Sequence, residues 1–334
     1  ILIIRPQRII ADITAAIIAD GNMKITEKEY YDYLFEILKD YSLLPKNEVA
    51  ERVVFQHSFD VLKFPDGLIP KIRSEFGVGF ENVFFTNARK ALLVRNNYTE
   101  ESSLILERTA VYFAVLGCIL DFMIDNGTEK QRKKAFHCLS LENCKWYFSD
   151  FSLRKTNSVV DELFEYIENG LRYIKTFDKN KYDEILELIR KAADSEIYVS
   201  GEMSESRSVT DKSILFVIIS LKIITADLQI EENALFEHIA YAIQLIDDVC
   251  DVFEDKVAGH SNPILLLLTE SNNDYSIISN AANEILGHMN AIKENGSASL
   301  YDFVMYEIRE WCMSCTYIRE KVWNNGKYND NKTM

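Results

Sequence analysis

Ile243-Gln244-Leu245-Ile246-Asp247-Asp248-Val249-Cys250-Asp251-Val252-Phe253-Glu254-Asp255 places five acids at the end of a strongly apolar run. At 3.6 residues per turn, Asp247, Asp251 and Asp255 drift by only about 40° per step, so one face of a single helix is predicted to carry three carboxylates. Like charges at that spacing repel, by a few tenths of a kcal/mol per pair when exposed and by more where the flanks are buried. The negative end of the helix dipole disfavours them further. A hard divalent cation resolves the conflict, and residues kept against local physics are functional candidates.

A second acidic helix end lies upstream. The apolar stretch from Ala110 to Met123 leads into Asp121 and Asp125, again four apart, and stops at Asn126-Gly127. Two such faces opposing each other across a helical bundle would offer oxygen ligands to Mg²⁺, which keeps several waters and completes its octahedron with substrate phosphate oxygens. The substrate implied is phosphorylated and largely apolar.

The rest of the chain reads as helix. Its 334 residues are 48% hydrophobic and 27% charged, enough to bury a sizeable core. No proline falls between Pro70 and Pro263, and apolar residues recur at three- and four-residue spacing throughout. Breaks are expected at Asp20-Gly21-Asn22, Leu44-Pro45-Lys46, Pro65-Asp66-Gly67, Asn126-Gly127, Asn169-Gly170, Gly201 to Ser208, Gly259 to Pro263, Ser271 to Asp274 and Asn295-Gly296. The expectation is an all-α, single-domain bundle of about a dozen helices around a central cavity over residues 1–323, followed by a polar, frayed tail at 324–334. Ala110 to Met123 and Ile239 to Phe253 are apolar on nearly all sides, which places them in the middle of the bundle.

A net charge of −15 argues against nucleic acid or an anionic membrane surface as the main partner. Ile1 to Ile4 and Ile214 to Leu221 are too short for a membrane span, so no stable membrane insertion is expected. The six cysteines (Cys118, Cys138, Cys144, Cys250, Cys312, Cys315) lie mostly in apolar helical stretches, which suits reduced thiols in a cytoplasmic protein. The lone CxxC of Cys312 and Cys315 reads as helix packing rather than a metal site.

On these residues the chain resembles the class I isoprenoid synthases: trans-prenyltransferases, squalene and phytoene synthases, and class I terpene cyclases. Ile243 to Asp251, including Gln244 and the apolar residue before it, is similar to the second aspartate-rich motif of the prenyltransferases. Leu120-Asp121-Phe122-Met123-Ile124-Asp125 is similar to their first DDxxD motif, with Phe122 in place of the second Asp. That position points away from the metal-facing side, so metal binding should survive the change. The 126 positions from Asp121 to Asp247 are close to the family's spacing. Asp247, Asp251 and Asp255 also match the first, fifth and ninth positions of the cyclase metal triad, with Glu254 an alternative to Asp255.

The resemblance implies further roles. Asp121, Asp125, Asp247, Asp248, Asp251 and Asp255 would hold Mg²⁺, three ions in all. Arg207 and Lys212, at the break before an apolar helix, would contact the substrate diphosphate, and so would Lys256 in the stretch Asp255 to Pro263. Arg319 beside Tyr317 comes near the late Arg-Tyr pair of the cyclases. Arg89, Lys90, Arg95 and Arg309 are weaker candidates for the same task. Gln244, Phe113 and Gly117 would belong to the pocket, Gly117 leaving room for a chain one turn below Asp121 and Phe113 forming its floor.

Chain elongation requires a second, basic site for isopentenyl diphosphate, built in the family partly from an Arg-Arg-Gly after DDxxD. This chain has Asn126-Gly127-Thr128-Glu129-Lys130-Gln131-Arg132-Lys133-Lys134 instead. The resemblance therefore implies a Mg²⁺-dependent terpene cyclase acting on a C15–C25 prenyl diphosphate. Its alternatives are a chain-elongating or head-to-head prenyltransferase, and, outside enzymes, a helical interaction protein. A homodimer is compatible with each. A di-iron bundle would need Glu-x-x-His pairs and an HD-type phosphohydrolase a His-Asp dipeptide, and the sequence has neither.

Overall fold

In the computed structural model the residues described are 25–45, 62–95, 101–139, 158–200, 206–228, 232–258, 262–271, 274–296 and 298–330. Among them are fourteen helices and no strand, so the fold is all-α, as the spacing predicts. They are α1 (Glu27–Asp40), α2 (Leu68–Phe76), α3 (Val78–Val94), α4 (Glu101–Asp125), α5 (Glu129–Leu139), α6 (Val159–Phe177) and α7 (Lys179–Ser200). Then come α8 (Ser206–Ile224), α9 (Glu232–Cys250), α10 (Val252–Ala258), α11 (Pro263–Glu270), α12 (Ser276–Asn295), α13 (Ala298–Ser314) and α14 (Thr316–Asp330). No helix among the described residues is long and apolar enough to cross a membrane. Two compact units emerge, one from the described residues of Val53–Phe236 and the other from those of Gln7–Arg52 and Glu237–Met334.

In the first unit α4 packs against α3, α5, α6 and α8. Its apolar faces explain this position: Val111, Val115, Ile119 and Met123 are buried together with Leu116 and Leu120 on other sides of the same helix. The helix stops where Asn126-Gly127 predicts, and Arg132 Nε closes its end by donating to the Ile124 carbonyl at 2.9 Å.

The break expected at Asn169-Gly170 is absent, because Gly170 lies inside α6. There it lets α4 approach closely: a Cβ on Gly170 would fall 2.6 Å from Thr109 Cγ2 and 2.7 Å from Thr109 Cβ, and closer still to Oγ1. Thr109 is buried and its hydroxyl is tied to the Ile105 carbonyl at 2.6 Å, so it has little freedom to yield. Gly170→Ala is therefore expected to destabilise the chain by about 1–3 kcal/mol, although alanine is the better helix former. An unchanged thermal midpoint would show that the α4–α6 approach is looser than this.

Arg95, a candidate diphosphate contact, is committed to structure instead. Its guanidinium makes a two-pronged pair with Asp227 and donates to the Ile224 carbonyl at 3.1 Å, and its Nε lies 3.8 Å from Glu107 Oε1. Glu107 is fully buried, and neither of its oxygens has a hydrogen-bond donor. Burial pushes its carboxyl up to about 7, with Asp227 adding to the shift and Arg95 opposing it. Folded chains thus hold a proton that unfolded chains release near 4.5. This contribution to stability is complete below pH 4.5 and is lost as pH rises through 7, with a size on the order of 3 kcal/mol. Urea denaturation between pH 5 and pH 8 should show that slope in the wild type and a much flatter profile in Glu107→Gln.

The second unit is built from α1 and α10 to α14, with most of α9. Thr26 starts α1 with a complete capping box, its hydroxyl accepting from the Glu29 N–H while Glu29 accepts from the Thr26 N–H. Tyr30, Leu34 and Leu38 form its fully buried stripe. Backbone helix in α14 continues to Asp330, into the tail expected to be frayed. On α9 and α12, His238 Nδ1 meets His288 Nδ1 at 2.8 Å, and Tyr241 stacks on His288. Burial and His238 hold the His288 imidazole below its usual value, with Glu284 opposing. That contribution has the reverse sign, being present above about pH 6.5 and lost on acidification.

The expected break at Asp20-Gly21-Asn22 lies outside the described residues, as do Cys144, Gly201 to Glu205 and Gly259 to Ser261. The other five cysteines are buried and none is in a disulfide. Cys250 and Cys312 are hydrogen-bonded to each other, which with burial raises the Cys250 thiol well above its usual value.

Candidate functional site: a capped acidic helix end

The single helix expected from Ile243 to Asp255 bends at Asp251, where α9 gives way to α10. The register of the three aspartates nevertheless survives. The Asp251 N–H donates to the Asp247 carbonyl at 3.0 Å and the Asp255 N–H to the Asp251 carbonyl at 2.8 Å, so both steps keep the i to i−4 geometry of a helix.

A helix normally ends with four carbonyls lacking partners. Here each has one. Asp247 O accepts from Asp251 N–H, Asp248 O from Asn262 Nδ2 at 2.8 Å, Val249 O from the Tyr30 hydroxyl at 2.8 Å and Cys250 O from the Tyr31 hydroxyl at 2.9 Å. These donors bring positive dipole ends to the negative end of α9, which is what carboxylates there require. They also allow the end to be buried: Asp247 and Asp248 are each 3% exposed and Asp255 is 4% exposed, while Asp251 is half-buried. Burial pushes both tyrosine hydroxyls well above their usual range, so they act as donors at any ordinary pH.

The two side-by-side acids differ in their surroundings. Asp248 Oδ1 accepts from Gln244 Nε2 at 2.9 Å. Gln244, expected in the pocket, thus holds Asp248, which lies about 100° around the helix from Asp247. Asp255 Oδ2 accepts from Asn262 Nδ2 at 2.8 Å. Asn262-Pro263, read in the sequence as part of a loop, starts α11: Asn262 Oδ1 accepts from the N–H groups of Ile264 and Leu265, with Pro263 at the first helical position.

The remaining candidates are distributed as follows. Asp121 is buried in the last turn of α4, and Asp125 is its final residue, with a side chain outside the described set. Phe122 packs edge-on against Phe80 at 5.3 Å between centroids. The space beside Gly117 is filled by the Phe216 ring, which stacks on Phe113 at 4.9 Å. Gly117 thus makes room for an aromatic side chain of α8, Phe216, which the sequence did not single out and which stacks on the expected pocket residue Phe113. Arg207 and Lys212 occupy the first two turns of α8, with side chains outside the described set.

Lys256 is half-buried with its Nζ 5.5 Å from the Phe253 ring centre. Arg319 donates to Met313 O at 3.4 Å and Thr316 Oγ1 at 3.2 Å, and Tyr317 donates to Asp32 at 3.0 Å. Arg89 and Lys90 are buried. The basic residues after the first acid pair have local partners: Arg132 closes α4, Lys133 pairs with Glu129, and Lys134 meets Ser158 and Asp161.

No three His, Cys, Asp or Glu side chains converge as a ready-made metal cage among the described residues. Mg²⁺ is bound through one or two carboxylates plus waters and substrate phosphates, not by an all-protein cage, and carboxylate oxygens are what the acidic segment offers once the Cys250 thiol is taken up by Cys312. Neither a family model nor a curated protein matches this chain.

Proposed function

We propose that this chain is a Mg²⁺-dependent class I terpene synthase that ionises a C15–C25 prenyl diphosphate and cyclises the resulting carbocation. The observation that carries the reading is the end of α9, where Asp247, Asp251 and Asp255 stay in helical register at a largely buried position whose four carbonyls are all capped. Such an end tolerates concentrated negative charge and invites a hard cation.

Asp247, Asp251 and Asp255 take the metal-holding role, the same role that the sequence resemblance gives to Asp121 and Asp125. Bound Mg²⁺ supplies charge neutralisation to the departing diphosphate. The sequence resemblance gives Arg207 and Lys212, in the first two turns of α8, the role of hydrogen-bond donors to a leaving diphosphate. The outer faces of Phe113 and Phe216, those not in their mutual stack, can stabilise a passing carbocation by roughly 0.5–2 kcal/mol each.

Cyclisation is favoured over elongation by Arg132, Lys133 and Lys134. Each has a local partner, and no Arg-Arg-Gly follows Asp125. Separate incubations with C10, C15, C20 and C25 prenyl diphosphates, with and without isopentenyl diphosphate, test the assignment. Hydrocarbon or alcohol formed without isopentenyl diphosphate is the expected result. Longer diphosphates formed only in its presence would make the protein a prenyltransferase.

A further inference from the structure

We infer that Asn262 is a positioning residue for the acidic segment, fixing the Asp255 carboxylate and the bend at Asp251 through one side-chain amide. The inference rests on the Mg²⁺ role proposed for that segment. Asn262 is 3% exposed, and its amide is used at both ends. Nδ2 donates to Asp248 O and to Asp255 Oδ2, both at 2.8 Å, while Oδ1 accepts from Ile264 N–H at 2.9 Å and Leu265 N–H at 3.1 Å.

Helix capping alone does not select asparagine, since Asp and Ser cap equally well. Donation does. An aspartate would set a second carboxylate against Asp255, and a serine is too short to reach two acceptors on different helices. The amide joins the last turn of α9 to α10 across the bend, so one side chain ties the Asp255 carboxylate to the helix that carries Asp247. Its hold on Oδ2 also restricts rotation of the Asp255 carboxylate, as outer partners of metal-binding carboxylates do.

The test is calorimetric titration of inorganic diphosphate into the full chain at saturating MgCl₂, with thermal midpoints recorded for every variant. Asn262→Ser retains a cap and should weaken Mg²⁺-dependent binding 10- to 100-fold. Asn262→Asp, which keeps shape and cap, should weaken it as well, so the test does not depend on one variant folding. Added to Asp255→Ala, Asn262→Ser should cause little further loss, because its effect passes through Asp255.

A structural role alone predicts lowered midpoints with unchanged affinity in both Asn262 variants, and that result would overturn the inference. So would an equal loss with and without Asp255. A wild-type chain that binds no diphosphate in the presence of Mg²⁺ would instead remove the proposed function, and this inference with it.

Discussion

Tyr30→Ala should lose about 5 kcal/mol of stability, close to the whole of what holds many domains folded. Two effects add. Tyr30 is fully buried, with its ring edge-on to Tyr31 at 5.1 Å and tilted against Phe253 at 5.5 Å, so truncation leaves a cavity the size of an aromatic ring. Removing a buried aromatic side chain costs about 3–5 kcal/mol. Its hydroxyl also serves Val249 O, and a buried carbonyl left without a donor costs about 1–3 kcal/mol more. Tyr30→Phe separates the terms, since it should lose only the second amount in urea denaturation. Equal losses in the two variants would mean that the ring contributes nothing beyond its hydroxyl.

Asp247→Ala combined with Asp251→Ala should cost turnover far more than it costs folding. Mg²⁺-dependent turnover of prenyl diphosphates should fall by about 10³-fold or more, since the groups that stabilise charge on the leaving diphosphate are usually the largest single contribution to such a rate. A well-folded double variant with undiminished Mg²⁺-dependent turnover would remove the metal role from this segment. Marked destabilisation in metal-free buffer would show that these carboxylates hold the fold.

Local periodicity carried much of this structure. The three- and four-residue spacing of apolar positions foretold an all-α chain, and Asn126-Gly127 and Asn295-Gly296 marked helix ends where α4 and α12 stop. Tertiary contact decided what local reading missed. Gly170 looked like a helix stop, yet its missing side chain accommodates Thr109 from another helix. Gly117 looked like space for substrate and accommodates Phe216. Tyr30 and Tyr31 gave no hint in the sequence of their role, because the carbonyls they cap lie 219 positions away. Asn262 was more legible, since an Asn-Pro pair ahead of an apolar run is a helix-start signal, but its hold on Asp255 depends on the bend at Asp251. The acids themselves were readable because their placement is unfavourable without a reason.

Release of inorganic diphosphate from a prenyl diphosphate by the wild-type chain, followed with and without Mg²⁺, tests the proposed chemistry most directly. The expected result is release that requires Mg²⁺, needs no isopentenyl diphosphate and is accompanied by a cyclic hydrocarbon or alcohol. No release from any C10–C25 substrate, or release equally fast in excess chelator, would contradict it.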